Sequence, residues 1–176
     1  SLETRNATRM RATFHSVHVV PWIVVIAIMG VFSACDPNRV FEENREIDGG
    51  TWNVLDTVSF QVEISDSNNP HNIYINIRNV GSYAYSNLFM FVTTTFPNGK
   101  TSKDTVECIL ADQHHWLGSG LGDLWHHQIL YRSQVRFPLL GRYTFTYEQA
   151  QRSGQKAFIE DLPGIQDVGI RIEKHN

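Results

Sequence analysis

The 176 residues carry 15 Lys and Arg against 18 Asp and Glu, for a net charge of −3, with 41% hydrophobic residues and two cysteines. No basic stripe with interleaved aromatics supplies the electrostatic footprint of nucleic-acid binding, so a nucleic-acid partner is excluded. The length from Cys35 onward suits one domain with a core large enough to need no disulfides.

The chain opens with a basic leader holding Arg9 and Arg11 and a single acid, Glu3, followed by VVPWIVVIAIMGVF from Val19 to Phe32 without a charge. This apolar run falls short of the roughly 20 residues needed to cross a bilayer as a helix. It matches the basic n-region and the apolar h-region of a signal peptide. Ser33 and Ala34 directly before Cys35 resemble a lipobox, in which the chain is cut before cysteine and the thiol is acylated; Phe32 stands where Leu is usual. The alternative, a buried strand with Cys35 as a core thiol, is disfavoured because Asp36 and Pro37 would end it at once. Met10 fits the start of the signal, which makes Ser1 to Arg9 upstream sequence. Residues 1–34 are therefore expected to be upstream residues and a lipoprotein signal peptide, 35–50 a lipidated N-terminal tether, and 51–176 the folded domain. Removing three basic and one acidic residue with the leader leaves 12 Lys and Arg against 17 Asp and Glu, net about −5. Membrane attachment then has to come from the acyl chains, each buried CH₂ contributing about 0.8 kcal/mol.

After Cys35, the segment DPNRVFEENREIDGGTWNVLD is acidic and poor in apolar residues, which reads as a tether merging into the domain with a turn at Asp48, Gly49 and Gly50. Alternation then dominates. In VSFQVEI, Val58, Phe60, Val62 and Ile64 share one face, the mark of a half-buried strand. SDSNNP makes a turn, and NIYINIRNV sets Ile73, Ile75 and Ile77 on one side. NLFMFVTTTF is apolar or Thr on both faces and predicts a central strand. Its exit FPNGKT holds Asn98-Gly99, a hairpin signal for a type I′ turn, with the partner strand at about Thr101 to Leu110. In that partner, Cys108 shares a face with Val106 and Leu110 and reads as core rather than as a nucleophile; with Cys35 acylated it has no disulfide partner.

Further on, QILYRSQVRF and RYTFTYEQ alternate around a turn at Pro138 to Gly141 and are expected to form a second hairpin. YEQAQRSGQKAFIEDL lacks a sustained helical period and reads as a loop with at most one turn. GIQDVGIRIEK closes the chain with Val168, Ile170 and Ile172 inward and Arg171 and Glu173 outward. Seven or eight short strands with turn residues between them predict an all-β fold, an antiparallel β-sandwich of jelly-roll or immunoglobulin-like type. There is no internal repeat.

The least strand-like stretch is DQHHWLGSGLGDLWHHQ, residues 112 to 128. His114, His115, His126, His127, Asp112 and Asp123 suit a transition metal chemically. The spacing argues against a site, since adjacent His residues on extended chain point to opposite sides and no H-E-x-x-H pattern occurs. G-S-G-L-G lacks the spacing, the following helix and the lysine of a phosphate loop. Trp116 and Trp125 offer a stacking platform for a sugar ring; the competing structural reading has them plug one end of the core, with the glycines allowing a tight path. Glu42 and Glu43, and Glu160 and Asp161, are adjacent acids of solvated type, and no nucleophile elbow is present. The sequence predicts no enzyme, no cofactor and no metal.

Taken together, SACDPNRVFEEN, TWNVLDTVSFQVEI, IYINIRNVGSYAYSNLFMFVTTTFPNGKTSKDTVEC, WLGSGLGDLWHHQILYRSQVRFPLLGRYTFTYEQAQR and LPGIQDVGIRIEK, in this order and spacing, resemble the GldH family of gliding-motility lipoproteins of Bacteroidota. The resemblance covers nearly all of the chain from Cys35. It implies an envelope lipoprotein needed by the motility machinery, which is linked to type IX secretion, with protein partners in the envelope and no known catalytic residue. Only Cys35 carries over as a defined functional residue. Asp36 after the cysteine means inner-membrane retention under the enterobacterial rule; without an acidic run behind it, a periplasm-facing outer-membrane position is expected.

Overall fold

The computed structural model describes residues 36–154 and 157–175. The expected signal peptide and Cys35 lie outside the described residues, and the compact unit begins at Asn38. Eleven strands follow in chain order: β1 (Arg39–Glu46), β2 (Thr51–Asn53), β3 (Thr57–Ile64), β4 (His71–Val80), β5 (Asn87–Thr95), β6 (Thr101–Ile109), β7 (Ser119–Leu121), β8 (Leu124–Val135), β9 (Gly141–Gln149), β10 (Asp161–Pro163) and β11 (Ile165–Lys174). One short 3₁₀ turn, Asp48–Gly50, is the sole helical element among the described residues, so those described between Tyr147 and Leu162 form no helix.

The strands build one five-stranded sheet, β1-β11-β4-β8-β7, one four-stranded sheet, β3-β9-β5-β6, and a two-stranded ribbon, β10-β2. Every pair is antiparallel. Setting aside the short strands β2, β7 and β10, the eight that remain alternate between sheets in the order 1-8-3-6 over 2-7-4-5. That is the double Greek key of a jelly roll, which decides between the two sandwich types that the alternation allowed. Phe60, Val62 and Ile64 of β3, Tyr143, Phe145 and Tyr147 of β9, Ile73, Ile75 and Ile77 of β4, and Val168, Ile170 and Ile172 of β11 are buried between the sheets as their period predicts. Cys108 joins them, fully buried, and burial pushes its thiol up to about 12.

Three local expectations are corrected. Arg39–Glu46, placed in the tether by its acidity, is a strand: it pairs with β11 from Arg39↔Glu173 to Glu46↔Asp167. Only Phe41 packs in part against the core; otherwise backbone pairing and the Arg171–Glu42 ion pair at 2.7 Å hold the strand at the sheet edge. The β5–β6 hairpin forms as expected, but through a different turn. Gly99 N–H donates to Phe96 C=O and Phe96 N–H to Lys100 C=O, and only Gly99 has positive φ (+81°). Pro97 presets the first central position of a type I turn, and glycine takes the left-handed bulge position behind it. The third correction concerns β8 and β9, which are not a hairpin: β8 pairs with β4 and β9 with β3 and β5. Pro138–Gly141 is a corner between sheets, pinned by Tyr143, whose hydroxyl donates to Leu139 C=O at 3.0 Å and accepts from Leu139 N–H at 3.2 Å. At the end of β8, Gln134 takes φ +56°, and Asn72 Oδ1 accepts from its N–H, bending the strand toward that corner.

Candidate functional site

The residues singled out between 112 and 128 lie at the end of the sandwich remote from Asn38. Half of that stretch is strand rather than loop: β7 folds back on the first residues of β8, Ser119↔His126 to Leu121↔Leu124. The alternation of β8 divides its two histidines as adjacent positions must. His127 points inward and is 5% exposed, its Nε2 2.9 Å from Asn79 Oδ1. Asn79 Nδ2 donates to Val80 C=O, which fixes the amide and leaves Nε2 of His127 as the donor. Burial first, then the electrostatic influence of the neighbouring His126, lowers the pKa of His127, which favours the neutral ring. His126 points outward, where Arg78 Nε donates to its Nδ1 at 3.4 Å.

The other pair is held differently. Asp112 Oδ1 accepts from the backbone N–H groups of His114 and His115, both at 2.8 Å, and these bonds hold its carboxyl below the usual carboxylate range. Asp112 therefore closes a turn and leaves both imidazoles exposed. Among the described residues no three His, Cys, Asp or Glu are grouped to hold a metal ion.

Trp116 and Trp125 do come together. Their ring centroids are 6.5 Å apart at 35°, and Trp116 also meets Tyr83 at 6.4 Å and His127 at 6.3 Å. Trp125 occupies the inward register of β8, two positions before His127. Gly120, its partner across the β7–β8 pair, lies over the ring: a Cβ there would fall 2.9 Å from Cζ3. One face of Trp125 is thus covered by backbone. Tyr83 closes the floor, with its hydroxyl donating to Asn87 C=O at 3.0 Å. Trp116 packs against the core, while Trp125 is partly exposed with one face under Gly120.

A polar groove of about 450 Å³ that sequence reasoning missed runs over the outward face of the five-stranded sheet. Asn76 Nδ2 donates to Glu42 Oε1 and Asn44 Oδ1, both at 3.2 Å. Arg78 pairs with Asp167 at 3.0 Å, and burial raises Asp167 against the pull of Arg78. Asn76 Oδ1 is buried without a partner. The one available signal was the polar half of the NIYINIRNV alternation; the partners on β1 and β11 are too distant in sequence to be read locally.

A smaller cavity of about 180 Å³ opens between the sheets at the other end, near Tyr131, Phe137 and Tyr143. At its rim Arg132 pairs with Asp104 at 2.7 Å. The Tyr131 hydroxyl also donates to Asp104, which together with Arg132 lowers the Asp104 carboxyl.

Over residues 39–172 the chain matches the family described as GldH lipoprotein. The chain belongs to that family. A protein named gliding motility lipoprotein GldH homolog, from Christiangramia forsetii, is 37% identical over 167 residues, covering 94% of this chain and 98% of the relative. Gliding motility lipoprotein GldH of Flavobacterium johnsoniae is 36% identical over 154 residues, covering 86% of this chain and 94% of its own. A solved structure of infectious bursal disease virus, Gx strain, aligns with a TM-score of 0.33 at 11% identity over 79% of this chain and 30% of that one, too slight to bear on function. The GldH match opens on the first residue of β1 and closes inside β11. The edge strand next to the expected anchor is therefore part of the GldH folded unit, and not a spacer ahead of it.

Proposed function

We propose that the chain is an envelope lipoprotein, acylated on Cys35, that supports gliding motility or the associated type IX secretion machinery by binding protein partners rather than by catalysis. The names of the two GldH relatives support the setting. The observation that carries the protein-contact reading is the end of the sandwich remote from Asn38. There Leu55 and Leu121 are 84% and 79% exposed, with Leu117 and Phe158 more than half exposed, in the short strand β7 and the connections that also carry Asp48, Asp56, Asp123 and Glu160. Large apolar side chains left in water at one end of a domain suit a surface that a partner covers, and the acids in the same segments suit a partner of basic character.

The test is photo-crosslinking in intact cells from Leu55 and Leu121, each replaced by a photoreactive residue. Recovery of motility or secretion components from these positions, and not from Gln61 on the outward face of the other sheet, is expected. A stably anchored protein that yields no specific adduct from either position overturns the reading. Metabolic labelling with a palmitate analogue, lost in Cys35→Ala, tests the anchor separately. Membrane fractionation with protease access tests the periplasm-facing outer-membrane position.

A further inference from the structure

The connection between anchor and sandwich is short, and that fixes which end of the molecule meets the lipid. Only Asp36 and Pro37 separate Cys35 from Asn38, and consecutive Cα atoms are about 3.8 Å apart, so Cys35 lies within roughly 11 Å of the first residue of the folded unit. Asn38 is pinned: its carbonyl accepts from Lys174 N–H at 2.8 Å, while His175 N–H donates to Pro70 C=O at 2.9 Å. The pairings of β4, β8, β3, β9 and β5 place the loops 65–70, 96–100 and 136–140 at this same end.

That end is chemically unlike the rest of an acidic protein. Leu140 is 57% exposed, next to exposed Pro138 and between Arg136 and Arg142 in RFPLLGR. Lys100 and Lys174 are exposed beside them. Against these four cations stand Glu63, which reaches Arg142 at 3.8 Å, Asp66, and Asp36 in the connection. Both Asp66 oxygens accept hydrogen bonds from Asn68 and Asn69 within their own loop. At the opposite end the exposed loops set Asp48, Asp56, Asp112, Asp123, Glu160 and Asp161 against Arg152 among the described residues. The charge is thus divided along the long axis, with the positive end at the connection.

We propose that the 136–142 corner, with Lys100 and Lys174, is a docking surface for the anionic phospholipid headgroups of the membrane that holds the anchor, with Leu140 entering the interface. This rests on acylation of Cys35. Exposed apolar tips flanked by Lys and Arg partition into such an interface, the cations drawn by surface potential and the leucine by the acyl boundary. The consequence is an end-on posture that turns Leu55 and Leu121 away from the lipid.

The full-length lipidated protein carries the test. Cys108 is buried and Cys35 is blocked by lipid, so Leu140→Cys, Leu130→Cys and Leu55→Cys each offer one thiol for an environment-sensitive fluorophore. The protein is placed in phosphatidylethanolamine vesicles containing phosphatidylglycerol and brominated acyl chains. Strong quenching at position 140 with none at 130 and 55 is expected, weakening in 1 M salt, where the screening length falls to about 3 Å. Arg136→Ala with Arg142→Ala is expected to lower the docking equilibrium constant roughly 25-fold, about fivefold per cation. Lys100→Glu with Lys174→Glu is a second variant remote from the corner backbone. If the protein floats with the vesicles while position 140 is quenched no more than position 55, the docking proposal falls and the anchor stands. Equal quenching in phosphatidylcholine vesicles overturns the recognition of anionic headgroups. If the protein does not float and Cys35 itself takes the label, the anchor fails and the docking proposal with it.

Discussion

The edge strand β1 depends on a glycine across from it. Gly169 on β11 pairs with Asn44, and a Cβ at residue 169 would lie 1.9 Å from Asn44 Oδ1 and 2.6 Å from the Glu43 carbonyl oxygen. The Asn44 side chain can turn away, but the Glu43 carbonyl is backbone, so Gly169→Ala forces β1 back by about 1 Å to reach ordinary contact distance. That retreat weakens two or three of the β1–β11 backbone bonds, each worth about 0.5–1.5 kcal/mol, and breaks the bond from Asn76 to Asn44. Against this, alanine is favoured over glycine in a strand by about 0.5–1 kcal/mol. The net expectation is a loss of roughly 2–3 kcal/mol in urea unfolding. Hydrogen exchange should locate the loss in the amides of 41–46. Adding Asn44→Ala should restore less than half of it, because the Glu43 carbonyl remains. A change below about 0.5 kcal/mol, or a full loss with unchanged exchange in β1, would refute the steric account.

Trp125→Ala should lower stability by about 2–4 kcal/mol, below a fully buried tryptophan because the ring is only partly enclosed; a role confined to ligand stacking predicts an unchanged unfolding midpoint. His127 gives a pH dependence of definite sign. Its folded pKa is depressed, so on acidification through about 6.5 the unfolded chain takes up a proton that the folded ring refuses, and stability falls by at most about 1.4 kcal/mol per pH unit. Asp167, raised by burial, works the other way, binding its proton earlier in the folded state and adding stability as the pH drops. Unfolding of the wild type and His127→Gln between pH 7 and 5 should therefore differ in slope, with the steeper acid loss in the wild type. The buried Cys108 thiol should not react with a disulfide reagent at pH 8 in the native protein and should react fully in denaturant; fast native reaction would contradict its burial.

The strands whose one face is buried were legible because their period is two: Phe60, Val62 and Ile64, or Ile73, Ile75 and Ile77, announce themselves without any partner. β1 was not legible, since RVFEENRE buries no continuous face and its support comes from β11, more than a hundred residues later. Pro138 and Gly141 announce a change of direction but not which sheet receives the next strand, so the corner was mistaken for a hairpin. Asn98-Gly99 announced a hairpin, while Pro97 altered the turn chemistry by fixing the first central φ. At the candidate site, the divergence of His126 from His127 was readable from spacing and a tight path from the loop glycines, but not that Gly120 lies over Trp125. The groove around Asn76 was not, because its members meet only across β1, β11 and β4.

The first strand of this sandwich has the last as its neighbour. In a chain synthesised from its N-terminus, β11 is the last strand to emerge, so β1 has nothing to pair with until then. The edge of the five-stranded sheet is thus completed by its two most distant segments, and the register of β1 is set only once both ends of the folded unit are present together.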